Sequence, residues 1–253
     1  MRYASLRQGL VGAWCPSVSG PYGYRLPDLS GYGNHGTLTN MDPGSDWVVS
    51  GGKGALDFDG SNDYVTTTTP GLTTSNMSVS LWFRSQVNLS TNNYSCLLDW
   101  GAASSYPADI GKNFSILFGS DANFGTNGFG VSQYGDGFAV PGLNDNVWHS
   151  AYIELVGSLY SIWIDGVFRT SKTMTTNTTS TAITIGKYFS GWYYNGVIDD
   201  IRIYKRSLKA SEIRLLASER GIGLKPERIR NRYSAPATTN TRNRSSRFLA
   251  FPS

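Results

Sequence analysis

Between Met77 and Arg84 the chain reads MSVSLWFR, which sets Met77, Val79, Leu81 and Phe83 on one side of an extended backbone and Ser78, Ser80, Trp82 and Arg84 on the other. Successive side chains of a strand point to opposite faces, so this alternation specifies a half-buried strand rather than a helix. The same period recurs in VWHSAYIELVG, where His149, Ala151, Ile153 and Leu155 oppose Trp148, Ser150, Tyr152 and Glu154. NFSILFG, GFGVSQYG, AITIGKY and GVIDDIRIYKR are further strand candidates. LYSIWIDGVFRTS reads as a hairpin turning at Asp165-Gly166, a residue pair that tolerates the positive φ of a tight turn. Strands separated by turns, without long helical patterns between them, predict two packed antiparallel sheets. One helix is expected near the end, in RSLKASEIRLLASERG, with Ser207 or Ser211 as its cap, Ile213, Leu215 and Leu216 as its apolar stripe and Gly221 as its stop.

The composition agrees. Of 253 residues 13 % are aromatic and only 16 % charged, and 29 are glycine. Aromatic residues suit a pleated, half-buried surface and glycine supplies the turns. The net charge of +4 is unevenly placed. Residues 219–253 carry eight basic and two acidic groups, leaving fourteen basic and sixteen acidic groups in residues 1–218. The expected organisation is a nearly neutral body over 1–218 and a basic, mostly extended arm over 219–253, whose Pro, Arg, Asn, Ser and Thr follow no period. Two cysteines, Cys15 and Cys96, are too few for a disulfide scaffold, and they either pair or stay free. Residues 1–16 lack the apolar run of a signal peptide and no segment is apolar enough to span a bilayer, so cytoplasmic synthesis and no membrane partner are expected.

Eight segments in order carry a resemblance: GLVGAWC (9–15), DLSGYGNHGTL (28–38), ALDFDGSNDYV (55–65), MSVSLWFR (77–84), VWHSAYIEL (147–155), IWIDGVF (162–168), ITIGK (183–187) and GVIDDIRIYKRSLKASEI (196–213). Over roughly residues 9–216 the chain resembles laminin-G-like, concanavalin A-like jelly-roll domains of the kind found in phage virion proteins. The resemblance implies an all-β antiparallel sandwich of about a dozen strands with one short C-terminal helix. The arm lies outside it.

No enzymatic constellation is present. Glycosidases on this fold carry paired carboxylates as Glu-x-Asp-x-x-Glu, flanking the scissile bond. Here Glu154 is the only glutamate before Tyr204. Nucleophile elbow, Walker loop, HExxH and CxxC are all missing, and the two histidines, His35 and His149, cannot make a zinc site alone. A non-enzymatic protein is expected. The resemblance implies a structural calcium ion held by Asp28, Asn34, Asp199 and Asp200 with carbonyls of the glycine loop. The alternative is local chemistry: an Asx-turn at Asp28, a loop cap at Asp199 or Asp200 or a pair with Arg202, and a tight return through Gly31, Gly33 and Gly36.

Sugar recognition needs exposed rings beside polar groups. Trp192, Tyr193 and Tyr194 in YFSGWYYNG are the candidate platform, and Tyr106 in SSYPAD offers another ring. The arm provides partner-binding candidates: Arg228, Arg230, Arg232, Arg242, Arg244 and Arg247, then the apolar anchors Phe248, Leu249 and Phe251. The main expectation is therefore a virion surface component (a capsid-decoration, head-fibre or tail protein), anchored by its arm to other capsid subunits in a homo-oligomer or larger assembly. The alternative is a glycan-binding adhesion module acting at a cell surface, with or without calcium. Nucleic acid is not the expected partner, since the arm has the charge but no recognised fold for it.

Overall fold

The alternating segments are strands, and their apolar sides meet between two sheets. The computed structural model describes residues 3–68, 76–101, 113–133, 135–175, 182–188 and 191–224. Among them are sixteen strands. The first eight are Leu10–Trp14 (β1), Arg25–Leu26 (β2), Gly36–Thr39 (β3), Trp47–Ser50 (β4), Lys53–Asp59 (β5), Tyr64–Thr67 (β6), Asn76–Arg84 (β7) and Tyr94–Gly101 (β8). The rest are Asn113–Asp121 (β9), Gly125–Gln133 (β10), Asp136–Val140 (β11), His149–Val156 (β12), Leu159–Ile164 (β13), Val167–Thr173 (β14), Ile183–Ile185 (β15) and Asn195–Tyr204 (β16). A short helix, Pro16–Ser19 (α1), follows β1, and Ala210–Leu216 (α2) follows β16.

One sheet has the order β14-β13-β12-β7-β16-β5-β4, with β1 also on β16, and the other β11-β10-β9-β8-β15-β6-β3-β2. Strand β16 is long enough to serve two neighbours on one flank. Asn195–Ile198 pair with β5 and Ile201–Tyr204 with β1, and the register breaks between them at Asp199–Arg202. Asp200 takes a positive φ of 51° at this bulge, a conformation that aspartate tolerates better than most residues.

Between the sheets, Val79, Leu81, Phe83 and Ile153 meet Leu98, Phe114, Ile116 and Phe118. Phe83 stacks on Phe129 at 4.5 Å and meets Phe118 edge-on at 5.7 Å. Truncating a phenylalanine so placed typically costs ~3–5 kcal/mol. The predicted hairpin is β13–β14, with φ of 53° at Asp165 and 77° at Gly166.

The outer face of the first sheet carries Tyr152 and Tyr204, which pack with Ile213 and Leu216 of α2. Neither Ser207 nor Ser211 caps that helix. Lys209 is the capping position, and its backbone N–H donates to Glu212 Oε2 at 2.9 Å, while Arg206 forks onto the same carboxylate at 2.8 Å through both terminal nitrogens. The glutamate is the stronger acceptor because its charge also meets the helix N-terminus.

Residues 219–224, which the sequence grouped with the arm, are packed onto this same face. Ile222 and Leu224 join the cluster of Leu6, Tyr204 and Leu216. Gly221 N–H donates to Asp200 Oδ2 at 2.7 Å, Arg202 donates to Ile222 O at 2.8 Å, and the Arg220 guanidinium lies 4.0 Å from the Trp148 ring centroid.

The second sheet is different on its outside. Its registers align Thr37, Thr66, Thr184, Asp99, Ser115 and Ser132 in one row across six strands. Among the described residues no helix covers this polar row. Beside it, toward the start of β8, lies an aromatic cluster.

Candidate functional site: an aromatic-walled groove

Strand pairing puts Tyr94 opposite Gly119 on the outward side of β8 and β9. A Cβ at Gly119 would come within 2.7 Å of Phe124 and 3.0 Å of Tyr94, so only glycine lets both rings lie down there. Tyr94 meets Phe124 edge-on at 6.2 Å, and its hydroxyl donates to Asp121 Oδ2. Burial and that carboxylate together push the phenol well above the ordinary tyrosine pKa, so it stays neutral.

The second half comes from the segment after β15. Tyr188 N–H donates to Trp192 O at 3.0 Å and Gly191 N–H to Tyr188 O at 3.1 Å, and Lys187 bridges to Tyr193. This closure folds Trp192 back over the sheet. Its ring lies 4.5 Å from Tyr94 and 5.1 Å from Tyr188. Trp192 is thus half-buried and held between two tyrosines, and an aromatic ring fixed in advance loses little entropy on binding.

Tyr94 and Trp192 form a shared wall between two hollows. The larger is a groove of about 380 Å³, lined on its far sides by Gln86, Asn88, Ser90, Asn93 and Asn195 with Gly60 and Gly191. The smaller, about 140 Å³, has Leu117, Ser132, Gly135 and Tyr188 as its other walls. Gly60 has φ +77°, and a Cβ there would lie 2.9 Å from that of Asn195, so glycine is required for the amide to approach. Gln86, Asn88, Asn93 and Asn195 are exposed. Asn93 already donates to Ser90 Oγ and Asn88 Oδ1 accepts from Asn127 at 3.4 Å, and an amide carries both donors and an acceptor, as a vicinal diol does.

The three residues of the predicted platform lie in different places. Trp192 and Tyr193 line the groove, with Lys187 Nζ 5.6 Å from the Tyr193 ring centroid and 4.4 Å from that of Tyr64. Tyr194 does not belong to it. It is fully buried between the sheets, edge-on to Phe58 at 6.0 Å, and its hydroxyl donates to Arg84 O at 3.1 Å. The alternation of the strand it leads into sends Tyr194 inward as Tyr193 points out. Tyr106 and the arm residues Arg228, Arg230, Arg232, Arg242, Arg244, Arg247, Phe248, Leu249 and Phe251 lie outside the described residues.

The proposed calcium ligands do not fit an ion. Calcium takes six to eight oxygens free to point at it. Asp28 instead accepts from Ala13 N–H and Ser30 N–H through Oδ1, and from Ser30 Oγ and Asn34 N–H through Oδ2, at 2.7–2.9 Å. Asn34 donates to Val11 O and accepts from Thr68 Oγ1. His35 Nδ1 accepts the Asp28 N–H at 3.0 Å, and Gly31 and Gly33 take positive φ, so this loop is turn chemistry. Asp200 is forked by Arg202 at 2.7 and 2.8 Å, and Asp199 accepts from Ser17 N–H with Arg220 at 3.5 Å. The carboxylates face cations already supplied by the chain. Among the described residues no three His, Cys, Asp or Glu side chains are placed to hold one ion. Cys15 and Cys96 are both free and buried.

The family model described as "Concanavalin A-like lectin/glucanases superfamily" matches residues 59–214, more than half of the chain. The chain belongs to the concanavalin A-like lectin/glucanase superfamily. Among curated proteins no sequence match is found. Several solved structures share the fold at low identity. Domain 4 of AbnA, a GH43 extracellular arabinanase from Geobacillus stearothermophilus, solved in complex with arabinotriose, is 16 % identical with a TM-score of 0.59, and the match covers 82 % of this chain and 98 % of that one. The binding domain of Paraclostridial Mosquitocidal Protein 1 is 16 % identical with a TM-score of 0.61, covering 84 % and 52 %. A botulinum neurotoxin type C structure, whose cell entry depends on interaction with two ganglioside molecules, is 14 % identical with a TM-score of 0.61, covering 85 % and 52 %. The chain thus spans about half the length of these toxin chains. The superfamily includes glucanases as well as lectins. Here Glu154 lies on β12, in the sheet away from the groove, 3.2 Å from the Tyr152 hydroxyl.

Sequence reasoning missed Tyr94 and the amides Gln86, Asn88, Asn93 and Asn195. QVNLSTNNY has the composition of an ordinary loop, and only the pairing of β8 with β9 and the fold of the 187–193 segment bring it against Trp192.

Proposed function

We propose that this chain is a non-catalytic glycan-binding domain, with Trp192 as the stacking ring of its site. The observation that carries this reading is the placement of Trp192: an immobilised, half-exposed indole beside a groove lined by exposed amides and hydroxyls. The apolar face of a sugar ring stacks on an aromatic face, and its hydroxyls need paired donors and acceptors. The setting that goes with this reading is a cell surface or its surroundings. Two proteins of similar fold, one solved in complex with arabinotriose and one whose cell entry depends on two ganglioside molecules, support the choice of glycans as a class. The virion-anchoring role expected of the arm falls on residues outside the described chain and takes no support from the groove.

The test is isothermal titration of the full chain with a panel of oligosaccharides, arabinotriose among them. Trp192→Ala should weaken binding by about tenfold or more, as loss of a central stacking ring does. Tyr194→Phe, which removes only a core hydroxyl, should leave affinity unchanged while lowering stability by ~1 kcal/mol. If no oligosaccharide binds, or if Trp192→Ala binds as well as the parent chain, the reading is wrong.

A further inference from the structure

Tyr94 forms half of the wall between the two hollows, and it is held from behind. Opposite it in the register stands Gly119, which has no side chain to buttress a ring. Phe124 supports Tyr94 edge-on at 6.2 Å, and Asp121 Oδ2 accepts its hydroxyl. Asp121 lines neither hollow. It ends β9, and its other oxygen, Oδ1, accepts from the N–H groups of Asn123 and Phe124 at 2.8 and 2.9 Å, closing the turn into β10. A turn of this kind needs one side-chain acceptor, which serine or asparagine supplies as well. The second carboxylate oxygen is not required by the turn, and it meets the phenol. The same corner is joined to the groove through the backbone. Asn92 N–H donates to Ser120 O at 2.6 Å and Ser120 N–H to Asn93 O at 3.1 Å, and Asn93 lines the larger hollow.

We propose that Asp121 is a positioning residue of the glycan site: it fixes Tyr94, and through Tyr94 the Trp192 ring, at the tilt that receives a sugar. The proposal rests on the glycan-binding reading and adds a residue to it. Tyr94 is half-buried, and Trp192 leans on it with ring centroids 4.5 Å apart and planes at 58°. Ring contacts alone are weakly directional. A hydrogen bond at the far end of the ring fixes where the hydroxyl lies, and with it the tilt. A carboxylate oxygen is a stronger acceptor for that hydroxyl than a neutral one. Phe124 belongs to the same device, since its N–H is on Asp121 Oδ1 and its ring is on Tyr94. A side chain ordered before binding spares the complex the entropy of ordering it, worth about two- to tenfold in affinity.

The experiment titrates the full chain and its variants Tyr94→Phe, Asp121→Ser, Asp121→Asn and Tyr94→Phe with Asp121→Ser, using arabinotriose and the rest of the oligosaccharide panel. Each protein is also labelled with fluorotryptophan, and the Trp192 fluorine NMR line is assigned by its loss in Trp192→Phe. Serine keeps an acceptor for the turn but has no second oxygen for the phenol. Tyr94→Phe should weaken binding about three- to tenfold in the parent chain and less than about twofold in the Asp121→Ser background, because both changes remove one bond. Asp121→Asn, which keeps the turn acceptor and sets an amide beside the phenol oxygen, should bind within about twofold of the parent. The Trp192 line should shift or broaden in Tyr94→Phe and in Asp121→Ser, and stay in place in Asp121→Asn. Losses that multiply in the double variant, or a Trp192 line unmoved by Asp121→Ser, would overturn the positioning role. Tyr94→Phe leaves the turn intact and probes the same bond from its other end. Parent-like affinity and an unmoved line in that variant therefore overturn the role even should Asp121→Ser fail to fold. If the line moves but no oligosaccharide binds, the glycan-binding reading falls while the hold of Asp121 on Trp192 stands.

Discussion

Replacing Arg202 by methionine tests how the C-terminal segment is held to the sandwich. The Arg202 and Asp200 side chains are 1 % and 2 % exposed, and the guanidinium makes two hydrogen bonds to the carboxylate, at 2.7 and 2.8 Å, and a third to Ile222 O. Methionine fills much of the same volume but leaves the Asp200 carboxyl buried without its guanidinium partner, with the Gly221 N–H still donating to it. Breaking a buried pair from one side costs ~3–5 kcal/mol, most of it the price of the stranded charge. At ~2–4 °C per kcal/mol for a chain of this size, the melting temperature should fall by about 6–20 °C. Urea unfolding followed by tryptophan fluorescence gives the same quantity as a lower midpoint with an unchanged slope. The companion variant, Asp200→Asn with Arg202→Met, removes both charges, keeps an acceptor for Gly221 and places asparagine at a positive φ it tolerates. It should recover most of the loss. A single variant within ~1 kcal/mol of the parent, or a double variant as unstable as the single, would refute the view that the stranded carboxylate is what costs stability.

Two further outcomes depend on pH. Burial, and then the neighbouring Asp200, push Asp199 up to about 6. A carboxyl so raised contributes stability below the unfolded value of about 3.9 and loses it as pH rises through about 6, so Asp199→Asn should stabilise the chain by up to ~3 kcal/mol at about pH 8, the gain vanishing near pH 4 in urea titrations. His149 sits between Asp165 at 2.8 Å and Asp145 at 3.2 Å, and the Asp165 hydrogen bond outweighs burial in raising its pKa. Its contribution is present below about pH 6.5 and is lost as pH rises through the raised value, so His149→Gln should lower the melting temperature at about pH 5.5 but not at pH 9.

Much of the fold is legible in the chain because strand alternation is a local property. Ala151, Ile153 and Leu155 enter the core as the period requires, and Asp165-Gly166 turns where its positive φ allows. The site was legible only at Trp192 and Tyr193. Tyr194 was misplaced because a run of aromatics does not say which ring points inward. The acidic candidates failed for a related reason: a carboxylate advertises its charge but not its partner, and Arg202 and Arg220 reach Asp200 and Asp199 only through packing.

The order of apolar and polar residues by itself determined the strands, the hairpin and the two-sheet sandwich, since those depend on which way neighbouring side chains point. Tertiary structure alone decided that residues 219–224 close the body and that Tyr94 with the amides of residues 86–93 shares one groove with Trp192 and Asn195. Such meetings depend on cross-strand register and loop closure, where residues nearly a hundred positions apart become neighbours through bonds no local pattern encodes.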